Sequence, residues 1–314
     1  MQGQRKYLNP EVLARLSRLD LKAKLVVEGF MSGLHASPYK GFSQEFADYR
    51  QYMPGDEPKR IDWKVFGRSD RFYIKEYQEE TNLRAYILLD KSGSMGYGRK
   101  MSKLEYTKYL GASLAYMLYK QKDSVGIATF DTEIREIVPP SAKKSNFMQI
   151  LKIIDKASPQ GETSLSNILL QLAQKLRRRG LVILLSDLFD DPEVVVKSLR
   201  SFRYRKHEIL VFHILDRDEL TFPFTKPAIF SDLEDGAEMI IQPNIIRESY
   251  QRNFDELLKF YRTKLLESYI DHEIMYTNTP YDKALFTYLQ KRGRLMWHFS
   301  NHYSSSVFSL PPYQ

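Results

Sequence analysis

The stretch from Leu83 to Met95 decides the fold, and it reads L-R-A-Y-I-L-L-D-K-S-G-S-M. Residues 85–89 are five apolar or aromatic residues in succession. A short apolar run that turn-forming residues close is typical of a strand buried on both faces of a parallel sheet. Asp90 is therefore predicted at the carboxyl end of a central strand. Ser92 and Ser94 follow it in a tight loop.

This strand end is a candidate ligand site. In open α/β sheets, ligands bind just outside the carboxyl ends of the strands. A carboxylate and two hydroxyls at that edge suit a hard cation, because Mg²⁺ takes octahedral oxygen ligands and needs only one or two protein carboxylates. The D-x-S-x-S pattern alone equally fits a helix cap with serines filling a turn. The metal interpretation therefore depends on the rest of the chain.

Strand and helix patterns alternate along most of the sequence. A helical stretch begins at about Lys103, and buried-type strands are predicted at 124–130, 181–185 and 208–215. Residues 133–138 are predicted as a further strand that Pro139-Pro140 ends. Asp190-Asp191-Pro192 predicts the start of a helix, with an acidic cap and proline in the first turn. The alternation predicts an α/β fold with a doubly wound, mostly parallel sheet.

The domain organisation is predicted in three parts. Residues 1–82 form an N-terminal module, helical at Pro10 to Gly29 and then polar, aromatic-rich and rich in β-strand patterns. Residues 83–292 form the α/β domain, with a β-rich insertion at about 217–243. Residues 293–314 are expected to be a loosely ordered tail.

Composition excludes several classes of protein. The 314 residues include no cysteine, which rules out disulfides, thiolate metal sites and cysteine nucleophiles. No stretch approaches the roughly 18 apolar residues that span a bilayer, and the N-terminus lacks the apolar segment of a signal peptide. A cytoplasmic location is therefore expected. The net charge of +8 comes from short, scattered clusters, two of them at predicted helix ends, so nucleic-acid binding is not expected.

Two further oxygen donors complete a constellation with Asp90, Ser92 and Ser94. Asp187 ends another buried strand, and Thr163 begins a predicted helix. The set resembles the metal-ion-dependent adhesion site of von Willebrand factor A domains, in which serines and a loop threonine approach magnesium and aspartates often act through water. The resemblance implies that these five residues bind Mg²⁺, or Mn²⁺.

Longer motifs resemble the domain of unknown function 58 family of bacterial von Willebrand factor A-like proteins. The resemblance covers roughly residues 37–292, although Glu162 stands where glycine often precedes the threonine. Its members are typically encoded beside MoxR-type AAA+ ATPases, and the resemblance implies a chaperone-like partnership with such an ATPase or its client. The matching motifs are G-F-S-Q-E-F at 41–46, P-G-D at 54–56, R-I-D-W-K-V at 60–65, Y-I-K-E-Y at 73–77, D-K-S-G-S-M at 90–95, L-L-S-D-L-F-D-D-P at 184–192 and V-F-H-I-L-D-R-D-E-L-T-F-P-F at 211–224.

The function predicted from these patterns is a metal-dependent protein-interaction module and not an enzyme. The alternative is a magnesium-dependent hydrolase that uses a metal-bound water at Asp90 and Asp187. A nucleic-acid binder is a third, weaker possibility. A nucleotide-binding P-loop is disfavoured, because the glycines and lysine of residues 96–102 have the wrong spacing. No G-x-S-x-G pattern surrounds Ser94, so a serine nucleophile is disfavoured too.

Overall fold

The computed structural model describes residues 19–35, 49–51, 66–67, 72–75, 83–161, 164–231 and 238–291. Its contacts divide the chain into two units. The described residues 19–33 and those from 83 onward belong to the first unit, and the described residues from 34 to 75 belong to the second. The predicted tail at 293–314 and residues 10–18 of the predicted first helix lie outside the described residues.

The second unit contains a short antiparallel ribbon. Strand β1 (Tyr49–Gln51) pairs with β2 (Tyr73–Lys75), so that Arg50 lies opposite Ile74. The rings of Phe66 and Phe72 stack with their centroids 4.4 Å apart. The second unit therefore contains β structure within the part of the N-terminal module that is described.

A six-stranded sheet is the centre of the first unit, in the order β10-β7-β6-β3-β4-β5. Five strands are parallel, and only β5 runs antiparallel, along β4. This confirms the predicted α/β fold with a mostly parallel sheet. The strands are β3 (Arg84–Asp90), β4 (Ser124–Phe130), β5 (Ile134–Ser141), β6 (Leu181–Ser186), β7 (Glu208–Leu215) and β10 (Asp271–Tyr276).

Helices cover both faces of this sheet. Successive side chains of a strand point to opposite faces, and neighbouring residues of β3 contact different helices. Tyr86 and Leu88 share a buried cluster with residues of α4, α5 and α7, whereas Leu89 faces α2 at Gly111. The helices are α1 (Leu19–His35), α2 (Lys103–Lys120), α3 (Lys144–Lys156), α4 (Leu165–Lys175), α5 (Pro192–Tyr204), α6 (Arg217–Thr221), α7 (Pro243–Glu267) and α8 (281–291).

Two local predictions have different outcomes. The predicted helix start at Asp190-Asp191-Pro192 is confirmed, because the Asp191 carboxylate accepts hydrogen bonds from the backbone N–H groups of Glu193 and Val194, with Pro192 in the first turn. The prediction that Pro139-Pro140 ends a strand is wrong, because β5 continues to Ser141. An edge strand tolerates proline, which has no N–H to give to a neighbour.

The segment predicted as an insertion, about 217–243, begins with α6 and continues as a separate antiparallel ribbon of β8 (Ala228–Ser231) and β9 (Glu238–Ile241). Residues 232–237 between these strands lie outside the described residues. Helix α7 follows directly. In the described part of the chain, no helix is both long enough and apolar enough to cross a bilayer.

We expect Gly126→Ala to destabilise the central sheet. A Cβ at Gly126 would lie 2.5 Å from the carbonyl oxygen of Val138 and 2.8 Å from the backbone nitrogen of Pro140. Overpacking of a core typically costs about 1–3 kcal/mol of unfolding free energy, which urea denaturation measures. Gly111→Ala is the control, because its Cβ would contact only side chains and alanine favours a helix. A loss no larger than that of the control would contradict the prediction.

Candidate metal centre

Adjacent parallel strands bring the predicted donors to one edge of the sheet. Leu89 of β3 lies opposite Leu185 of β6. Asp90 therefore ends β3 beside Ser186, and Asp187 follows in the next loop. A single turn of 3₁₀ helix at Gly93–Gly96 follows β3. This placement agrees with the rule that ligands bind at the carboxyl ends of strands in open α/β sheets.

Asp90 is wholly buried, and both of its carboxylate oxygens accept hydrogen bonds. Oδ1 accepts from the backbone N–H of Ser92 at 3.0 Å, and Oδ2 accepts from the Ser186 hydroxyl at 2.6 Å. The Ser92 and Ser94 hydroxyl oxygens lie 3.1 Å apart. The Ser94 hydroxyl also donates a hydrogen bond to the Asp187 carboxylate. The structure thus brings together four of the five predicted ligands.

The spacing of the two hydroxyls fits an octahedral cation. Neighbouring ligands of Mg²⁺, each bound at about 2.1 Å, lie about 3 Å apart along an edge of the octahedron. The Ser92 and Ser94 oxygens, 3.1 Å apart, match that edge. The described residues contain no cluster of three or more His, Asp or Glu side chains that could hold a metal. A site here would therefore depend on the serine hydroxyls.

A buried lysine holds Asp187. The ammonium of Lys103, the first residue of α2, donates to Asp187 Oδ2 at 2.7 Å and to Glu219 Oε1 at 2.6 Å. The backbone N–H of Phe189 donates to Asp187 Oδ1 at 3.3 Å. Lys103 thereby links the loop after β6 to α6, where Glu219 also accepts from the backbone N–H of Asp216 at 2.6 Å in a capping box.

These contacts give the two aspartates different electrostatic environments. Burial, and then the charge of Asp187, raises the pKa of Asp90 to about 7. Burial also acts to raise the pKa of Asp187, but the charge and the hydrogen bond of Lys103, together with smaller contributions that include Ser94, hold that pKa below its ordinary value. Among the described residues, no cation is paired with Asp90. The charged form of a buried carboxylate is costly without a cationic partner, so such a group either takes up a proton, as the raised pKa of Asp90 indicates, or pairs with a cation from solution.

Thr163 lies outside the described residues, so its role as a ligand stays a prediction. The loop that precedes it is attached to the Asp90 loop. The N–H of Gly93 donates to the Gly161 carbonyl at 2.9 Å, and the N–H of Gln160 donates to the Lys91 carbonyl at 3.0 Å. Two backbone hydrogen bonds therefore hold residues 160–161 beside the candidate site.

His213 contacts the backbone of Asp187 and so supports the loop that carries this residue. Its Nε2–H donates to the Asp187 carbonyl at 2.9 Å, and its Nδ1 accepts from His272 Nε2 at 3.2 Å. Burial, and then His272, lowers the pKa of His213 to about 3, so the ring is neutral at physiological pH. Both ring nitrogens of His213 therefore have hydrogen-bond partners, as expected of a structural histidine.

Sequence reasoning missed Ser186, Lys103 and Glu219. One signal points to Lys103, because a cation at the first residue of a helix opposes the helix dipole. Such a lysine needs compensating carboxylates nearby. Ser186 and Glu219 carry no comparable signal, because their roles depend on which strands and loops are neighbours in space.

The chain is similar in sequence or in fold to several known proteins. An uncharacterized protein of Mycobacterium tuberculosis is 25% identical over 251 residues, which are 78% of each chain. The crystal structure of the conserved hypothetical protein BatB from Bacteroides thetaiotaomicron has a TM-score of 0.46 and 15% identity, over 68% of this chain and 99% of that one. The SpRpn10 VWA domain has a TM-score of 0.39 and 13% identity, over 65% of this chain and 94% of that one.

One family matches most of the chain. Its description is "Protein of unknown function DUF58", and the match covers residues 48–257. This range includes β3, the D-x-S-x-S loop, the end of β6 and α6. The chain therefore belongs to the DUF58 family.

Proposed function

We propose that this site is a divalent-cation-dependent docking site for a carboxylate of a protein partner. The observation that carries the proposal is the pair of hydroxyls of Ser92 and Ser94, 3.1 Å apart beside the buried carboxylates of Asp90 and Asp187. These four residues, with Thr163, would hold Mg²⁺ or Mn²⁺. A bound cation would supply positive charge and an open coordination position that a partner's Asp or Glu fills. The protein's own hydroxyls add ligands without adding negative charge, which leaves the cation attractive to an anion.

The surface beside the site supports a protein as the partner. Phe189 follows Asp187 by two residues and is 63% exposed, and Val194 nearby in the chain is 42% exposed. Large aromatic side chains exposed beside a polar site are common in protein-binding surfaces. A partner could therefore place a carboxylate at the cation and an apolar side chain against Phe189.

The proposed partner is a MoxR-type AAA+ ATPase or a client of that ATPase. This identity is supported only by the resemblance of the sequence motifs to the family. We propose the cytoplasm as the place of this interaction, because AAA+ ATPases need cytoplasmic ATP. The protein is proposed to bind and present a partner and not to catalyse a reaction.

A direct binding measurement tests the proposal. The affinity for a purified MoxR-type ATPase is measured by calorimetry in magnesium and in EDTA. Binding that is lost in EDTA supports the proposal, and equal affinity in the two buffers removes the cation from the interface. A magnesium-dependent phosphatase activity that Asp90→Asn abolishes would instead favour the hydrolase alternative.

We expect Phe189→Ala to weaken partner binding about tenfold, because truncating an aromatic residue at an interface often costs more than ~1 kcal/mol. The response of the melting temperature to magnesium should stay unchanged, because Phe189 donates to Asp187 through its backbone N–H, which alanine retains. Calorimetry and thermal unfolding measure the two effects. The control is Tyr204→Ala, which removes an aromatic side chain 84% exposed at the end of α5. Equal losses in the two variants would contradict a docking role for Phe189.

A further inference from the structure

A permanent internal cation lies behind the candidate metal centre. The Lys103 side chain is only 2% exposed, and its ammonium contacts the carboxylates of Asp187 and Glu219 at 2.7 and 2.6 Å. Burial favours loss of its proton, but these two carboxylates outweigh burial and hold the pKa of Lys103 above its ordinary value. Its position at the start of α2 adds the unfavourable field of the helix dipole. The fold therefore keeps Lys103 charged although burial and the helix dipole both disfavour a positive charge at this position.

The side chains of Asp90, Asp187, Glu219 and Lys103 form a cluster in which carboxylates outnumber cations. Asp90, Asp187 and Glu219 are carboxylates, and Lys103 is the ammonium that contacts two of them. Full ionisation leaves two negative charges uncompensated. Of the two other acidic residues beside Glu219 in the chain, Asp218 is paired with Arg99 at 2.6 Å, and Asp216 accepts from the backbone N–H of Asp218 and from the Thr277 hydroxyl. His213 is neutral. A divalent cation at the serines would complete the compensation.

We propose that Lys103 limits the affinity of the site for divalent cations, and that Glu219 counteracts Lys103. This inference rests on the proposed function, since it concerns the same cation. Asp187 is the shared group, because it accepts from both Ser94 and Lys103. The ammonium is thus separated from the serine hydroxyls by a single carboxylate. At that range, in a buried environment, like charges repel strongly enough to change an affinity by about tenfold or more.

The arrangement also gives a partner carboxylate a role in holding the cation. An anion from the partner adds negative charge that offsets Lys103. Cation and partner would therefore bind cooperatively, each raising the affinity for the other by the same factor. In the absence of the partner, the site would release its cation readily.

The two substitutions that test this inference have effects of opposite sign. Lys103→Met removes the positive charge with little change of volume, and we expect the affinity for Mn²⁺ to rise about tenfold or more. Glu219→Gln removes a negative charge and leaves Lys103 less compensated, so we expect the affinity to fall about tenfold. Glutamine can still complete the capping box of α6. If Lys103 and Glu219 only supported the structure, the two substitutions would change the Mn²⁺ affinity in the same direction or leave it unchanged.

The experiment titrates the full-length protein with Mn²⁺ as the probe and measures free Mn²⁺ by electron paramagnetic resonance at constant ionic strength. Lys22→Met is the matched control, because Lys22 is also buried, at 6% exposure, but donates to the Tyr109 hydroxyl on the α1–α2 contact. It should leave the affinity unchanged. If Lys103→Met fails to fold, as circular dichroism would show, Lys103→Gln replaces it, because glutamine is uncharged and its NH₂ group can donate to the carboxylates that Lys103 contacts.

The outcomes separate this inference from the proposed function. Wild-type affinity in both Lys103→Met and Glu219→Gln overturns the inference and leaves the metal site standing. If Lys103→Met binds Mn²⁺ and the wild-type protein does not, the inference is supported, and the proposal that the wild-type protein docks its partner through a cation is overturned. A lack of binding in every variant and in the wild type overturns both. Tighter binding by Lys103→Met together with weaker binding by Glu219→Gln is the expected result.

Discussion

Magnesium at about 100 times its dissociation constant is expected to stabilise the wild-type protein by about 2.7 kcal/mol. For a domain of this size, that corresponds to a rise in melting temperature of roughly 5–10 °C. The reason is that the folded chain collects Asp90, Ser92, Ser94 and Asp187 at one place, where the cation is proposed to bind, and the unfolded chain has no such site. Thermal unfolding in magnesium and in EDTA measures the difference.

Asp90→Asn is expected to abolish this response. The substitution keeps the shape of the side chain and one oxygen that accepts from the backbone N–H of Ser92, and its NH₂ group can donate to the Ser186 hydroxyl oxygen, but it removes the negative charge. In EDTA we expect the variant to be at least as stable as the wild type, because burial raises the pKa of Asp90 and makes its charged form unfavourable. In magnesium the order should reverse.

Asp191→Asn is the matched control for the loss of the carboxylate charge of Asp90. Its carboxylate caps α5 by accepting from the backbone N–H groups of Glu193 and Val194, and asparagine is an equally good helix cap. Its melting temperature should rise with magnesium as in the wild type. An equal response in the wild type and in Asp90→Asn would show that the cation does not bind at Asp90.

The second large expected effect is a loss of affinity for the partner. Ser92→Ala combined with Ser94→Ala removes both hydroxyl ligands, and we expect it to weaken binding of the MoxR-type ATPase in magnesium by about thirtyfold or more. Removing one member of a desolvated charge contact typically costs about 2–5 kcal/mol, and each 1.4 kcal/mol is about tenfold in affinity. Calorimetry with the purified ATPase provides the measurement.

Ser113→Ala combined with Ser198→Ala is the control for the loss of two buried serine hydroxyls. Ser113 donates to a backbone carbonyl within α2, and Ser198 is buried in α5. This pair should bind the ATPase as the wild type does. If the variant lacking Ser92 and Ser94 binds equally well, the partnership does not use the cation.

The sequence by itself determined the main features of the sheet. The apolar runs at 85–89 in β3 and 181–185 in β6 indicate strands buried on both faces, because helices on each side of a sheet keep water from both faces. The same pattern placed Asp90 and Asp187 at strand ends, and the carboxyl ends of parallel strands meet at one edge. The positions of these two residues were therefore predictable, as was the adjacent serine loop.

Only the tertiary structure decided what surrounds Asp187. Lys103 follows Asp90 by thirteen residues and Glu219 follows Asp187 by more than thirty, and no local periodicity connects them. Their contact depends on the order of the strands, which is not a property of any single segment. The ammonium that compensates Asp187 is therefore visible only in the folded chain, because charge compensation in a core depends on distance in space and not along the sequence.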